Sequence, residues 1–166
     1  MRIPVIYASK HGATAEIAEA IAEGLSRRGV EAAAISAEAV EAVDGYDAVV
    51  LGSAVYTGHW LKPARELADA QAGALAGKPV WLFSSGPLGP PEELQPEGDP
   101  VDVAELTKQT RTVEHRVFAG MLDKGKLGFG EKAMVRAVHA PEGDFRNWQA
   151  IDAFAGDIAD HLKPNP

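Results

Sequence analysis

Short apolar runs alternate with stretches of helical spacing along this chain, and that alternation restricts the possible folds more than any other feature. Arg2 to Ala8 reads as a first strand. Thr14 to Arg28 reads as a helix, with Ile17, Ile21 and Leu25 on one face and Gly29 just past its end. Val30 to Ser36 is a second, alanine-rich strand, and Asp47 to Gly52 is a continuous apolar run of the kind a strand buried on both faces carries. A helix is predicted over Lys62 to Ala76, opening on Pro63 and closing on Gly77. Pro79 to Ser84 is the fourth strand and Val113 to Leu122 the fifth. Between them, Gly86 to Pro100 carries Pro87, Pro90, Pro91, Pro96 and Pro100 and is predicted to be an irregular loop. Helices follow over Gly130 to Val138 and over Phe145 to Leu162, the second with Trp148, Ile151, Phe154, Ile158 and Leu162 as an apolar stripe. Strands alternating with helices require a parallel sheet covered on both faces through right-handed crossovers. The 166 residues therefore predict one α/β domain over 1–166, a doubly wound three-layer sandwich with five parallel strands.

Such sheets bind ligands outside the carboxyl ends of their strands, which directs attention to three loops. After strand one come Ser9, Lys10, His11, Gly12, Ala13 and Thr14. Two hydroxyls, a close-approaching glycine and the first amides of a helix suit a phosphate. Glu16 counts against this if it faces inward, and a plain helix cap at Thr14 would explain one residue of the run. After strand three come Ser53, Ala54, Val55, Tyr56, Thr57 and Gly58, then His59 and Trp60. Small residues followed by an aromatic suit a flat ring that needs polar contacts on its edge and apolar cover on its face. Trp60 reads better as core, and Tyr56 is the better cover. After strand four come Ser84, Ser85, Gly86, Pro87 and Leu88, a third small, polar strand end. No Gly-x-Gly-x-x-Gly follows strand one, and the chain has no Gly-x-x-x-x-Gly-Lys-Ser/Thr.

There are no cysteines, which removes disulfides, thiolate metal sites and cysteine nucleophiles. The histidines are scattered with no shared carboxylate spacing, so no metal site is expected; His115, His139 and His161 read as ordinary surface residues, and His59 as a solvent-facing residue that could donate a proton. A net charge of −8 argues against nucleic-acid binding. No run reaches the roughly 18 apolar residues of a membrane span, and the N-terminus lacks a signal-peptide pattern, so a cytoplasmic protein with at most peripheral membrane contact is expected. Between Leu106 and Arg136, Lys108, Arg111, Arg116, Lys124, Lys126, Lys132 and Arg136 outweigh Glu114, Asp123 and Glu131, giving +4 against −12 for the rest. That segment reads as a solvated face or as a patch for an anionic substrate or membrane headgroups.

Taken together, the three strand ends resemble those of the flavodoxin-fold flavoproteins. Ser9-x-His11-Gly12-x-Thr14 is similar to their FMN phosphate loop, with His11 where a threonine is usual. Tyr7 to Thr14, Gly52 to His59, Val117 to Asp123 and Asp144 to Trp148 resemble the protoporphyrinogen-oxidase-like branch, the menaquinone-dependent protoporphyrinogen dehydrogenases and their relatives. The resemblance implies a flavodoxin-like sheet of order 2-1-3-4-5 and FMN as cofactor. It implies that Ser9 to Thr14 hold the ribityl phosphate, that Ser53 to Gly58 line the isoalloxazine with Tyr56 stacking, and that Ser84 to Leu88 contact its pyrimidine edge. It implies an oxidoreductase passing electrons through FMN to a quinone or similar acceptor, with a porphyrinogen as a possible donor and Arg116, Lys124, Lys126 and Lys132 facing the membrane or porphyrin carboxylates. An electron carrier between protein partners and a relative using a deazaflavin are the alternatives. No catalytic side chain is assigned, and the oligomeric state is open.

Overall fold

The computed structural model describes residues 1–56, 58–86, 101–122, 128 and 143–163. β1 (Arg2–Ala8) leads into α1 (Ala13–Arg27), which returns to β2 (Glu31–Ser36) and a single 3₁₀ turn, Ala37–Ala39. β3 (Val49–Tyr56) continues into a short hairpin partner, β4 (His59–Trp60), followed by α2 (Lys62–Ala70) and α3 (Ala72–Ala76). Then come β5 (Pro79–Ser85), α4 (Val101–Gln109), β6 (Arg111–Phe118), the two-residue strands β7 (Met121–Leu122) and β8 (Gly143–Asp144), and α5 (Trp148–Leu162).

The sheet order is β2-β1-β3-β5-β6, with all these neighbours parallel. With the hairpin strand β4 set aside, this is the expected 2-1-3-4-5. The chain steps from β1 outward to β2 and then back across to β3, so the order reverses between β1 and β3 and a crevice opens over their carboxyl ends. Side chains divide by strand parity between two cores. Ile3 and Val5 of β1 pack with Ile17, Ile21 and Leu25 of α1 and with Phe154 and Ile158 of α5. Ile6 and Ala8 face the other way, towards Leu67 of α2, Leu75 of α3 and Leu106 of α4. Burial on both faces explains why β3 reads as an unbroken apolar run. Within it, Gly52 is set by packing, since a Cβ there would lie 2.2 Å from atoms of the Phe83 ring.

Several boundaries differ from the sequence-based expectation. β3 runs past Gly52 because Ser53 and Ala54 continue the ladder with Ser84 and Ser85, and Val55 and Tyr56 then pair with β4. The helix expected over Lys62 to Ala76 breaks at Gln71, whose side chain accepts from the Val43 amide at 3.1 Å and donates to the Glu41 carbonyl at 3.4 Å. No helix is expected from the sequence over α4; among its described side chains Val103 and Leu106 are buried. β6 starts at Arg111 and ends at Phe118, and Met121–Leu122 leaves the sheet to pair antiparallel with β8. α5 begins at Trp148, not Phe145, because the Asn147 side chain accepts from the Ala150 amide at 3.0 Å and caps it. Trp148 is 44 % exposed and lies off the core stripe. The loop expected over Gly86 to Pro100, beyond Gly86, and the helix expected over Gly130 to Val138 lie outside the described residues.

Candidate functional site

The first strand end turns on Gly12, which takes φ +93°, and among the described residues no atom stands within 4 Å of where its Cβ would be. Any other residue would be strained there and would project into open space over the loop. Gly12 caps α1 without a side-chain hydrogen bond, so Thr14 is not the cap; it is buried at the second helical position. Glu16 N–H donates to the Gly12 carbonyl at 3.1 Å and closes the first turn. The amides of Ala13, Thr14 and Ala15 precede it, where a helix offers no acceptor of its own. The Ser9 hydroxyl accepts from the Gly12 amide at 3.1 Å, and its own proton has no acceptor among the described residues. Lys10 is exposed and His11 half-buried in the same loop.

Glu16 does sit in the first turn of α1, but it does not face the anion site uncompensated. Arg146 Nη1 pairs with Glu16 and approaches the Ala13 carbonyl at 3.4 Å. Nε and Nη2 of the same guanidinium donate to both Asp144 oxygens, at 2.9 and 2.8 Å. The Arg146 side chain is only 6 % exposed, and its guanidinium lies 4.6 Å from the Trp148 ring centroid. Hydrogen bonding to Asp144 raises the Arg146 pKa further above its ordinary value, and Arg146 in turn holds the Asp144 carboxyl below the usual range. One arginine thus ties the start of α1 to β8 and the entry of α5.

The second strand end is a two-residue hairpin loop. Tyr56 pairs with His59 and Val55 with Trp60, and Gly58 turns at φ +79°. Ser53 is fully buried; its hydroxyl donates to the Ala54 carbonyl at 2.8 Å and accepts from the Leu61 amide at 2.9 Å, which fastens the base of the hairpin. Trp60 is core, as expected, and its indole N–H donates to Ser84 Oγ at 2.8 Å. Ser84 Oγ also lies 2.8 Å from His115 Nε2. His115 is therefore half-buried and tied to the sheet interior, not an ordinary surface histidine. Lys10 Nζ lies 5.8 Å from the Tyr56 ring centroid, bringing the first and second loops together.

At the third strand end Ser84 and Ser85 are buried, and the Gly86 amide donates to the Phe118 carbonyl at 2.9 Å. The predicted hydroxyls of Ser53 and Ser84 are thus spent inside the protein. Thr57, Pro87 and Leu88 lie outside the described residues. Asp102 is a residue that one-dimensional patterns do not reach: its Oδ2 accepts from the Trp60 amide at 2.9 Å and lies 3.3 Å from His59 Nδ1. Arg146 was marked only by the Asp144 to Trp148 motif, which says nothing of its partner Glu16.

The model of the flavodoxin domain matches residues 4–148. The chain belongs to this family. The domain is also 24 % identical to protoporphyrinogen IX dehydrogenase [quinone] of Escherichia coli (strain K12), over all of this chain and 98 % of that one. Among solved structures it resembles a flavodoxin from the domain Archaea, with TM-score 0.68 and 20 % identity, covering 99 % of this chain and 100 % of that one. It likewise resembles flavodoxin 1 from Bacillus cereus, with TM-score 0.67 and 18 % identity, covering 98 % of this chain and 100 % of that one.

FMN is the cofactor of this flavodoxin domain, and the site fits it. The Gly12 turn leaves an open cradle at the head of a fifteen-residue helix, the one carboxylate of the first turn is paired with Arg146, and the Tyr56 ring centroid lies 5.8 Å from Nζ of Lys10 in the cradle loop. No carboxylate occurs among the described residues of the three loops. Of the expected basic patch, Arg116 is committed elsewhere: it pairs with Glu114 at 2.7 Å and Asp157 at 2.9 Å and covers the Phe154 ring. Lys124, Lys126, Lys132 and Arg136 lie outside the described residues, as does His139. His161 packs edge-on against Trp81 at 5.2 Å. Among the described residues no cluster could hold a metal ion, and no helix is long and apolar enough to cross a membrane.

Proposed function

We propose that this domain is an FMN-dependent oxidoreductase of the protoporphyrinogen-dehydrogenase-like branch, working in the cytoplasm and delivering electrons to a quinone or a similar small acceptor. The observation that carries this reading is the likeness to protoporphyrinogen IX dehydrogenase [quinone] along the full length of both chains. Bound FMN supplies a centre that takes up and releases electrons in ones or twos; the chain binds, orients and shields it. In this reading the amides at the head of α1 and the Ser9 hydroxyl hold the phosphate, Arg146 keeps Glu16 from opposing it, and Tyr56 covers the ring. Ser53 to Gly58 and Ser84 to Leu88 meet the ring's edge through their backbone. A carrier between proteins is expected to surround its flavin with acidic docking residues, whereas the described residues of the three loops carry no carboxylate and Lys10 Nζ lies 5.8 Å from the Tyr56 ring centroid. The test is to load the purified protein with FMN, reduce it anaerobically, and follow oxidation by a soluble naphthoquinone, then turnover with protoporphyrinogen. A colourless protein that fails to take up FMN sinks the reading. FMN uptake with no quinone reduction, but ready exchange with a redox protein, leaves the carrier.

A further inference from the structure

The hairpin after β3 sorts its residues onto two faces. Residues directly opposite in an antiparallel ladder project to the same side, with Cβ atoms roughly 4.5–5.5 Å apart. Trp60 and its partner Val55 point into the core beneath. Tyr56 and His59 therefore share the outer face, the one that Lys10 of the phosphate loop approaches. His59 thus stands beside the surface on which the flavin ring would stack.

His59 is also held in place. Asp102, on the first turn of α4, sets one carboxylate oxygen 3.3 Å from His59 Nδ1 and takes the neighbouring Trp60 amide on the same oxygen. That oxygen is an acceptor, so Nδ1 carries the hydrogen and Nε2 is the ring atom left for a ligand. The His59 side chain is 51 % exposed and that of Asp102 21 %, so the imidazole is reachable while its partner is sheltered. Among the described residues, the charged groups held at this hairpin are Asp102 of α4, Lys10 over the Tyr56 ring, and Arg65 of α2, whose Nε donates to the Trp60 carbonyl at 3.1 Å.

We propose that His59 is the proton donor and acceptor of the redox site and that Asp102 is its positioning residue; this rests on the quinone-reductase reading above. Converting a quinone to a quinol takes two electrons and two protons. FMN held at this site would supply the two electrons and one of the protons together as a hydride. The second proton passes from His59 Nε2 to the quinone oxygen, leaving a neutral ring with its Nδ1–H on Asp102. Solvent returns the proton to Nε2 before the next turnover.

The experiment uses the FMN-loaded protein, photoreduced without oxygen and mixed with 2-methyl-1,4-naphthoquinone. His59→Ala should slow flavin oxidation at least tenfold at pH 7, in line with the roughly 10²–10⁴-fold worth of a general acid. Added imidazole should restore much of the rate, and FMN affinity should stay within about threefold, as expected for a side chain that touches the acceptor and not the phosphate. Asp102→Asn keeps an oxygen for the Trp60 amide and should lower kcat more than it raises KM. In the apoprotein, nitrogen NMR should find the neutral His59 ring protonated on Nδ1, with the Nε2–H form appearing in Asp102→Asn. An unchanged rate in His59→Ala with FMN bound, a loss that imidazole cannot rescue, or an Nε2–H ring in the wild-type apoprotein overturns the proposal. Failure of the wild-type protein to bind FMN or to reduce the quinone overturns the functional reading instead.

Discussion

Replacing Arg146 by methionine separates structure from electrostatics at the phosphate loop. The guanidinium is 6 % exposed, while Glu16 and Asp144 are 56 % and 43 % exposed. Removing one member of a fully buried pair costs about 3–5 kcal/mol, and the solvent around both carboxylates brings that down to about 2 kcal/mol here. In a chain of this size that lowers Tm by roughly 4–8 °C. The second effect is local. Glu16 stands one turn, roughly 5.4 Å of rise, from the loop amides, and without Arg146 its charge opposes the phosphate. Two like charges about 8 Å apart near a protein surface repel by about 1–2 kcal/mol, a loss of about tenfold in affinity. Fluorescence titration should therefore show Arg146→Met binding FMN about tenfold more weakly, with riboflavin, which lacks the phosphate, changed much less. Adding Glu16→Gln should recover the FMN affinity but not the Tm. Equal losses for FMN and riboflavin, or no recovery in the double variant, would refute the argument that Arg146 acts by neutralising Glu16.

Gly52→Ala should cost about 2–3 kcal/mol in denaturant unfolding, because its Cβ would fall 2.2 Å from the Phe83 ring; adding Phe83→Leu should return part of the loss. Ser84→Ala leaves the buried Trp60 indole N–H without its 2.8 Å acceptor and should cost about 1–3 kcal/mol, with a red-edge change in tryptophan fluorescence as the check. Asp152 sits between Arg27 and Arg28, where the Arg28 hydrogen bonds hold its pKa at about 2. A carboxyl whose folded pKa is depressed adds stability that is fully present above its unfolded pKa, about 3.9, and is lost as pH falls through the folded one. Wild-type Tm should thus drop between about pH 4 and pH 2, and Asp152→Asn should flatten that part of the curve; a parallel curve would sink the assignment.

The layers of this fold were legible because strands buried on both faces leave continuous apolar runs, and helices leave spaced ones. The phosphate loop was legible for a similar reason: its chemistry lies in consecutive residues, Ser9 to Thr14. What could not be read was anything made by two distant stretches of chain. Glu16 stands out as a fault in the first turn until Arg146 is seen folded over it, 130 residues away. Ser53 and Ser84 read as ligand donors because a sequence does not reveal that a buried hydroxyl is already paired with Leu61, Trp60 or His115. β4 escaped notice because two residues are too few for a period, and α4 because the proline-rich stretch before it hid the spacing of Val103 and Leu106. His59 looked like a loop residue facing solvent; Asp102, on another element, is what gives it an orientation.

The two-residue loop of the β3–β4 hairpin also limits how this protein can vary. Trp60 must enter the core while His59, its neighbour, stays opposite Tyr56. Because adjacent strand residues point to opposite sides, a slip of one residue in the β3–β4 register exchanges their faces. A register slip of that kind would put either the indole in water or the imidazole in the core. Substitution can tune this corner of the molecule one side chain at a time, but its register cannot slip without the core beneath and the outer face both being rebuilt.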